Sequence, residues 1–294
     1  MKQGQLMQRY RRSLLAAGLA LPWVRLALAG ATPDSPARVV TAGSSVTELV
    51  YALGGGERLI AVDLSSVYPA EALALPKVGY YRDLPIEGVA SMRPDLLIAS
   101  DQAGPPATLQ RLRDLGIPVL AVPDAPTLPA LRERARLIAE ALGVPEAARQ
   151  LMARLEASLA ELPPLPERAA WPKAVSIMAH GNSVLAAGRG TTADAIMALA
   201  GVHNVMQAQQ GYKPAAAESI LAAAPDVIIT TELSVRAQGG ADRLLALPAL
   251  AITPAAREGR LVVMEDVLYL TFGPRLDEAV TRLRERCTPF AKTP

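Results

Sequence analysis

VGYYRDLPIEGVASMRPDLL, at residues 78–97, and QGYKPAAAESILAAAPDVII, at residues 210–229, are two versions of one pattern. Each version has a Gly-Tyr pair, then a glutamate, then a Pro-Asp pair that opens an aliphatic run. The equivalent residues stand 131 or 132 positions apart: Tyr80 and Tyr212, Glu87 and Glu218, Pro94 and Pro225. A further pair, VTELVYALGG (46–55) and TADAIMALAG (192–201), matches at a spacing of 146.

These ordered matches indicate an internal duplication of about half the chain. A duplication of this size predicts two similar lobes in which equivalent residues face each other. One match alone would carry little weight, because Pro-Asp followed by aliphatic residues recurs by chance in α/β proteins. The paired tyrosines and glutamates are therefore candidates for paired roles.

Length and composition suit two well-buried lobes and exclude several classes. The chain has 294 residues, of which 51% are hydrophobic and 20% charged, and its net charge is +2. Such a balance is typical of a globular protein and does not indicate a nucleic-acid surface. The two histidines and one cysteine form no zinc-type spacing, and we expect Cys287 to pack in the last helix.

No enzyme signature appears in the sequence. GGGERL (54–59) lacks the lysine of a phosphate-binding loop, and TAGSSV (41–46) lacks the second glycine of a nucleophile elbow. No nucleophile–base pair or metal triad is apparent either. We therefore expect a binding protein without catalytic residues, and an α/β hydrolase or metal-dependent enzyme is the alternative class.

The N-terminus predicts an export signal peptide over residues 1–29. A basic start is followed by the short apolar run LLAAGLALPW, and Ala-Leu-Ala at 27–29 suits a signal peptidase. Arg11 and Arg12 before Ser-Leu-Leu resemble a twin-arginine signal, with an ordinary secretion signal as the alternative. No cysteine stands at the cleavage site, so a lipid anchor is not indicated.

Short aliphatic strands alternate with helices before and after one long helical stretch. Residues 127–162 read as nearly continuous helix, broken once by Gly143 and Pro145. The alternation on either side is typical of parallel sheets covered on both faces. The interpretation is an α/β protein of two similar lobes with mainly parallel sheets, residues 36–143 and 168–294, joined by one long α-helix over residues 144–164.

Together these features resemble the helix-linked substrate-binding proteins of metal-chelate ABC importers. The resemblance runs from about residue 37 to residue 290, and GYYRDLPIEG (79–88) and MAHGNSVLAAGRGTTADA (178–195) are similar to the haem-binding branch. It implies a monomeric periplasmic protein that captures haem between its lobes and delivers it to the permease dimer of an importer. Cobalamin or a ferric siderophore is the alternative ligand.

Tyr80 and Arg82 are the leading candidates for the ligand site. If their loop is extended, both side chains point the same way, and the guanidinium lowers the pKa of the phenol. A phenolate is a hard oxygen donor suited to ferric iron, although residue types alone favour a surface tyrosine stacked on an arginine. The resemblance implies that Tyr80 is the axial haem ligand and that Arg82 is hydrogen-bonded to it. Tyr81 is the rival.

The second lobe supplies further candidates. His180 ends a predicted strand at the expected edge of the cleft and is a candidate second iron ligand. The alternatives are that it holds a second stacked haem or is a purely structural histidine. Tyr212 is placed at the cleft by the duplication. Candidate partners of the haem propionates are Arg189, Arg236 and Lys213. Tyr269 is either an aromatic wall of the site or part of the core.

Glu87 and Glu218 begin short helices in the two copies of the pattern. On its own, each carboxylate suits the dipole of its helix. Their recurrence in both lobes favours docking to a two-fold partner instead. The resemblance implies that one glutamate per lobe meets arginines of the two permease subunits.

Overall fold

The computed structural model describes residues 35–181 and 183–291, and of His180 it describes the backbone alone. The predicted signal peptide at 1–29 lies outside the described residues. Within them, no helix is both long enough and apolar enough to cross a membrane.

The N-terminal sheet has four parallel strands in the order β2-β1-β3-β4. The first three strands are largely buried, as is typical of a parallel sheet covered by helices, whereas the edge strand β4 is partly exposed. The elements of this lobe are β1 (Val39–Ala42), α1 (Ser44–Ala52), β2 (Leu59–Val62), α2 (Ile86–Ser91), β3 (Leu96–Ser100), α3 (Pro106–Asp114) and β4 (Val119–Val122).

Two consecutive helices, α4 (Leu128–Ala141) and α5 (Pro145–Glu161), follow this sheet. The Thr127 hydroxyl accepts a hydrogen bond from the Ala130 amide (3.3 Å) and so caps α4. Gly143 lies in the left-handed region (φ 72°), and Pro145 occupies the first turn of α5. The break expected in the helical stretch is thereby confirmed. α5 packs against α4 and against the last helix of the chain, and it lies within the predicted linking helix at 144–164.

The second sheet contains the same four-strand arrangement with an addition. Strands β7-β5-β9-β10 are parallel, as β2-β1-β3-β4 are, and β6 and β8 extend the sheet in antiparallel pairing beyond β5. The strands are β5 (Lys173–His180), β6 (Ser183–Ala187), β7 (His203–Asn204), β8 (Tyr212–Pro214), β9 (Val227–Thr231) and β10 (Leu261–Met264).

Eight helices cover this sheet among the described residues: α6 (Thr192–Ala200), α7 (Ala217–Ala223), α8 (Glu232–Gln238), α9 (Ala241–Leu245), α10 (Pro248–Ala251), α11 (Pro254–Arg257), α12 (Asp266–Leu270) and α13 (Leu276–Cys287). The sheets and helices confirm two α/β lobes with mainly parallel sheets, and the proposed lobe boundaries stay a prediction.

The duplicated pattern has a local structural basis. Arg93 and Ala224, the equivalent residues before each Pro-Asp pair, have positive φ angles of 48° and 46°. The Asp95 carboxylate accepts hydrogen bonds from the Ala37 and Arg38 amides (3.1 and 2.9 Å), and the Asp226 carboxylate accepts one from Lys173 (2.8 Å). Each aspartate thereby fastens the start of the first strand of its lobe to the start of the strand that follows the aspartate.

The sequence patterns did not predict several short elements of the C-terminal lobe. β6, β7, β8, α8 and α12 were not recognised, and the helix read at DRLLALPAL (242–250) is divided into α9 and α10. Pro248 opens α10 because proline has no amide hydrogen to continue the preceding helix. Tyr269 is completely buried in α12, so it belongs to the core and does not form a wall of the site.

The largest cluster of buried apolar side chains continues from one lobe into the other. It includes Val39 and Ile98 of the first sheet, Leu151 of α5, and Ile229 of the second sheet. Cys287 of α13 is buried in the same cluster, as expected. The two lobes are therefore joined by continuous packing as well as by the chain.

Candidate functional site

A cavity of about 700 Å³ opens between the lobes, at the edge where strands β1, β3 and β5 end. Its volume lies in the range typical of small-molecule sites. The lining residues used below are Ser45, Tyr80, Tyr81, Arg82, Asp101 and Asp124 from the N-terminal lobe, and Gly190, Thr191, Tyr212, Leu270, Thr271 and Phe272 from the C-terminal lobe. Carboxyl ends of strands are where α/β sheets commonly bind ligands.

The two adjacent tyrosines are presented by a tight turn. The Asp83 amide donates to the Tyr80 carbonyl oxygen (3.0 Å), which places Tyr81 and Arg82 at the two central positions. Gly79 precedes the turn with φ 108°, and a Cβ there would lie 2.4 Å from a ring carbon of Pro85, so only glycine fits. The sequence GYYRDLP therefore fixes the direction in which the phenols leave the backbone.

This turn changes the expected relation between the tyrosines and Arg82. The extended loop that would align Tyr80 with Arg82 is not what forms. The Arg82 guanidinium carbon instead lies 5.0 Å from the centre of the Tyr81 ring, and the Tyr80 and Tyr81 rings meet edge to face at 5.2 Å. Tyr80 is 45% exposed at the cavity. Burial raises the pKa of Tyr81, and Arg82 partly offsets that rise.

Tyr212 faces the cavity from β8 of the opposite lobe. Burial raises the pKa of its phenol to about 12, and the positive charge of Arg82 lowers it slightly. Tyr212 is therefore a neutral hydroxyl near neutral pH, able to donate a hydrogen bond. Arg82 acts electrostatically on a tyrosine of each lobe.

One wall of the cavity is a polar network that the sequence patterns did not reveal. The Asp124 carboxylate accepts hydrogen bonds from the hydroxyls of Ser45 (2.7 Å) and Ser100 (2.9 Å) and pairs with Arg134. Arg134 is completely buried on α4, and burial lowers its pKa to about 10. The contacts of this network join residues 10 to 89 positions apart, so no local spacing could have signalled it. Asp101 adds a second carboxylate to this wall.

The other candidate residues are dispersed. Arg189 donates to the Gln210 side chain (3.3 Å) beside Gly190 at the cavity rim. Arg236 is exposed on α8 and pairs with Glu232 (3.2 Å) and Asp266 (3.4 Å), so the structure does not bring it into the cavity.

One histidine and one lysine among the candidates also lie on the C-terminal lobe. The His180 backbone ends β5 opposite Ser183, and its side chain lies outside the described parts. Lys213 is exposed on β8, next to Tyr212. In the described part of the chain, no group of three His, Cys, Asp or Glu side chains is arranged to hold a metal ion.

Glu87 and Glu218 occupy equivalent surface positions. Glu87 lies in the first turn of α2 and Glu218 in the first turn of α7, and both are exposed. Neither lines the cavity. The two carboxylates are therefore free of the ligand site and available at matching places on the two lobes.

The fold and the inter-lobe site are those of a periplasmic binding protein. The chain belongs to the family described as Periplasmic binding protein, whose model matches residues 39–268.

Two solved structures illustrate the similarity. The apo form of the periplasmic heme-binding protein RhuT from Roseiflexus sp. RS-1 is 35% identical, with a TM-score of 0.80 over 87% of this chain and 99% of that one. The periplasmic heme-binding protein BhuT in complex with two hemes is 36% identical, with a TM-score of 0.79 over 87% and 99% of the two chains.

Curated relatives include a substrate-binding lipoprotein and proteins named for vitamin B12. An uncharacterized ABC transporter substrate-binding lipoprotein, YvrC of Bacillus subtilis, is 27% identical over 86% of this chain and 81% of its own length. A vitamin B12-binding protein of Pectobacterium atrosepticum is 28% identical over 82% of this chain and 85% of its own length.

Proposed function

We propose that this protein binds haem in the cavity between its lobes and delivers it to the permease of an ABC importer. The main support for the proposal is the Gly-Tyr turn, which places two tyrosines and Arg82 at the wall of a cavity of about 700 Å³. The similarity to heme-binding proteins at 35% and 36% identity supports the same ligand. The role is binding rather than catalysis, in keeping with the family.

Tyr80 is the proposed axial ligand of the iron. It is the more exposed tyrosine of the turn, so its oxygen is accessible to a planar ligand entering the cleft. A tyrosinate is a hard donor that holds ferric haem. Tyr81 stays the rival: burial raises the pKa of its phenol, but Arg82 lies against the ring and partly offsets that rise.

The residues of the second lobe complete the proposed site. His180 is proposed as a second iron ligand, and the Tyr212 hydroxyl is suited to donate a hydrogen bond to an iron ligand or a propionate. Arg189 of this lobe and Arg82 of the N-terminal lobe are the proposed propionate partners, since both lie at or beside the cavity. Arg236 is a weaker candidate, because its guanidinium is already paired with Glu232 and Asp266.

Docking and export are proposed on separate grounds. Glu87 and Glu218 are proposed to contact the two subunits of the permease, because they occupy equivalent exposed sites on the two lobes. A monomer suffices for this arrangement. The segment at 1–29 is proposed to direct export to the periplasm, in keeping with the family.

Cobalamin is the second candidate ligand. It is favoured by the vitamin B12-binding relatives, which match at 27% and 28% identity over most of their length. Their identity is lower than that of the two heme-binding structures, and a pair of tyrosines in the cleft suits ferric iron better than a cobalt centre already enclosed by its own ligands.

Titration with ferric haem tests the proposal. We expect a shifted main absorption band and a phenolate-to-iron charge-transfer band in the red, saturating at a fixed stoichiometry. Cyanocobalamin added in parallel should give no saturable binding by calorimetry. An unchanged haem spectrum together with saturable cobalamin binding would overturn the proposal in favour of the second candidate.

A further inference from the structure

The segment LTFGPR at residues 270–275 belongs to the C-terminal lobe but is held by the N-terminal lobe. Its first three residues line the ligand cavity. The Thr271 hydroxyl lies 3.1 Å from the Ser44 hydroxyl, and the buried Arg134 guanidinium donates to the Phe272 carbonyl oxygen. One wall of the cavity is therefore attached to the opposite lobe at two points.

Arg275 adds a third and stronger attachment at the end of the segment. Its Nε and Nη2 lie 3.1 and 2.5 Å from Oε1 of Glu48, which is 3% exposed on α1. Its guanidinium carbon lies 3.5 Å from the centre of the Tyr68 ring, which also belongs to the N-terminal lobe. Within its own lobe it reaches Glu265 at 3.4 Å. A planar, permanently charged group suits both contacts at once.

The backbone of the segment packs closely against the same carboxylate. A Cβ at Gly273 would lie 2.8 Å from Oε2 of Glu48, so a side chain at this position would displace the carboxylate from its place beside Arg275. The close approach leaves little room for the segment to shift while the Glu48 side chain stays beside Arg275.

We propose that Arg275, held between Glu48 and Tyr68, clamps the two lobes together and positions the wall formed by residues 270–272 against the bound ligand. Arg275 is a positioning residue, since it acts through this wall and does not itself line the cavity. The inference rests on the proposed function only in taking this cavity as the ligand site.

The clamp has a predictable dependence on pH. Burial raises the pKa of Glu48 to about 7, Arg275 opposes that rise, and Glu265 and Glu278 of the C-terminal lobe add to it. Arg134 on α4 is the other charge that interacts with Glu48. In separated lobes, Glu48 would be hydrated and its pKa would be close to its ordinary value of 4.5. The clamped state therefore takes up a proton, so its stabilisation is complete below pH 4.5 and is lost as the pH rises from 4.5 to 7.

The first test measures the separation of the lobes without any ligand. Nitroxide labels at Gln110→Cys and Glu258→Cys, exposed on the two lobes, report the distance by electron–electron dipolar spectroscopy. The buried Cys287 thiol, whose pKa is raised to about 12, should stay unlabelled. We expect Arg275→Met to broaden the distance distribution. Arg136→Met, which removes ion pairs formed within α4 alone, should leave it unchanged.

The second test uses the same variants loaded with ferric haem. We expect haem to dissociate about tenfold faster from Arg275→Met than from the unsubstituted protein, with Arg275→Lys in between. An unchanged distance distribution in Arg275→Met would overturn the clamp. Haem binding is not needed for the distance measurement, so a failure of the proposed ligand would leave the test of the clamp intact.

Distance measurements at two pH values test whether ionisation of Glu48 weakens the clamp. Between pH 4.5 and pH 7.5 the distance distribution of the unsubstituted protein should broaden, because Glu48 loses its proton across this range. Glu48→Gln, which keeps an acceptor for Arg275 but cannot ionise, should retain the narrow distribution at both values. A broadening of equal size in Glu48→Gln would overturn the assignment of Glu48 to the clamp.

Discussion

At the scale of single residues, the choice between Tyr80 and Tyr81 decides how the ligand is held. The sequence GYYR identifies the segment but not which of its two tyrosines coordinates the iron. The partner of Arg82 depends on whether the backbone is extended or turned. The hydrogen bond from Asp83 to the Tyr80 carbonyl makes it a turn, and Arg82 then lies against Tyr81. Side-chain direction in this segment depends on whether that local hydrogen bond forms, so it cannot be read from spacing alone.

We predict that Tyr80→Phe removes the phenolate-to-iron charge-transfer band of the ferric haem complex. The physical reason is that phenylalanine has no oxygen to coordinate iron, while its ring keeps the packing against Tyr81. Absorption spectra of the loaded variants are the measurement.

Two matched variants serve as controls for this prediction. Tyr81→Phe and Tyr212→Phe should both keep the band, since each removes a hydroxyl from the same cavity without removing the ligand. A band that persists in Tyr80→Phe but disappears in Tyr81→Phe would move the iron ligand to the adjacent tyrosine.

At the scale of secondary-structure elements, the duplicated Pro-Asp pairs fasten strands. Periodicity and turn residues were sufficient to predict β1, β3, β5, β9 and the long helices, because their aliphatic runs are strong. They were insufficient for β6 and β8, which are short, contain proline or small residues, and are stabilised by pairing with β5 and with each other. Tertiary pairing, and not local preference, makes strands of these segments.

We predict that Asp95→Ala and Asp226→Ala each lower the free energy of unfolding by about 1–2 kcal/mol. Each substitution removes the acceptor of backbone amides at the start of β1 or β5. Urea denaturation followed by circular dichroism measures the loss. The matched variants Asp95→Asn and Asp226→Asn keep an acceptor oxygen and should lose less. Equal losses for Asn and Ala would show that these hydrogen bonds do not account for the effect.

We predict that Glu87 and Glu218 are needed for delivery and not for haem binding. Both are exposed at helix starts outside the cavity, and charged contacts at an interface rim mainly set encounter rate and register. The double variant Glu87→Ala, Glu218→Ala should keep its haem spectrum yet fail to stimulate uptake by vesicles that contain the cognate importer. Each single variant should retain part of the activity.

A matched pair of glutamates elsewhere on the surface controls for the loss of negative charge. Glu146 and Glu258 are exposed, and neither lies in the duplicated pattern. Their double replacement by alanine should leave uptake unchanged. Normal uptake by Glu87→Ala, Glu218→Ala would remove the docking role and leave both residues as charges that stabilise helix starts.

At the scale of the whole molecule, the duplication predicts two lobes but not the way in which they are joined. Ordered matches 131 to 146 residues apart are visible in the sequence, so the similarity of the lobes can be inferred. The packing between them cannot, because Glu48, Tyr68, Arg134 and Arg275 come from four separate parts of the chain and carry no common motif. The clamp is thus a property of the folded molecule alone.

We predict that the lobes move little when the ligand binds. α5 is an unbroken helix of 17 residues with no pair of flexible strands to act as a hinge, and the hydrophobic core continues across both lobes. X-ray scattering of the ligand-free and haem-loaded protein should therefore give nearly superimposable profiles.

A variant with Ala153→Gly and Arg154→Gly on the exposed face of α5 weakens the helix by about 1 kcal/mol per glycine and should separate the two profiles. Arg154→Ala, which keeps the helix intact, is the matched control. A large closure in the unsubstituted protein would contradict the prediction, because neither α5 nor the shared core could remain as it is while the cleft closed.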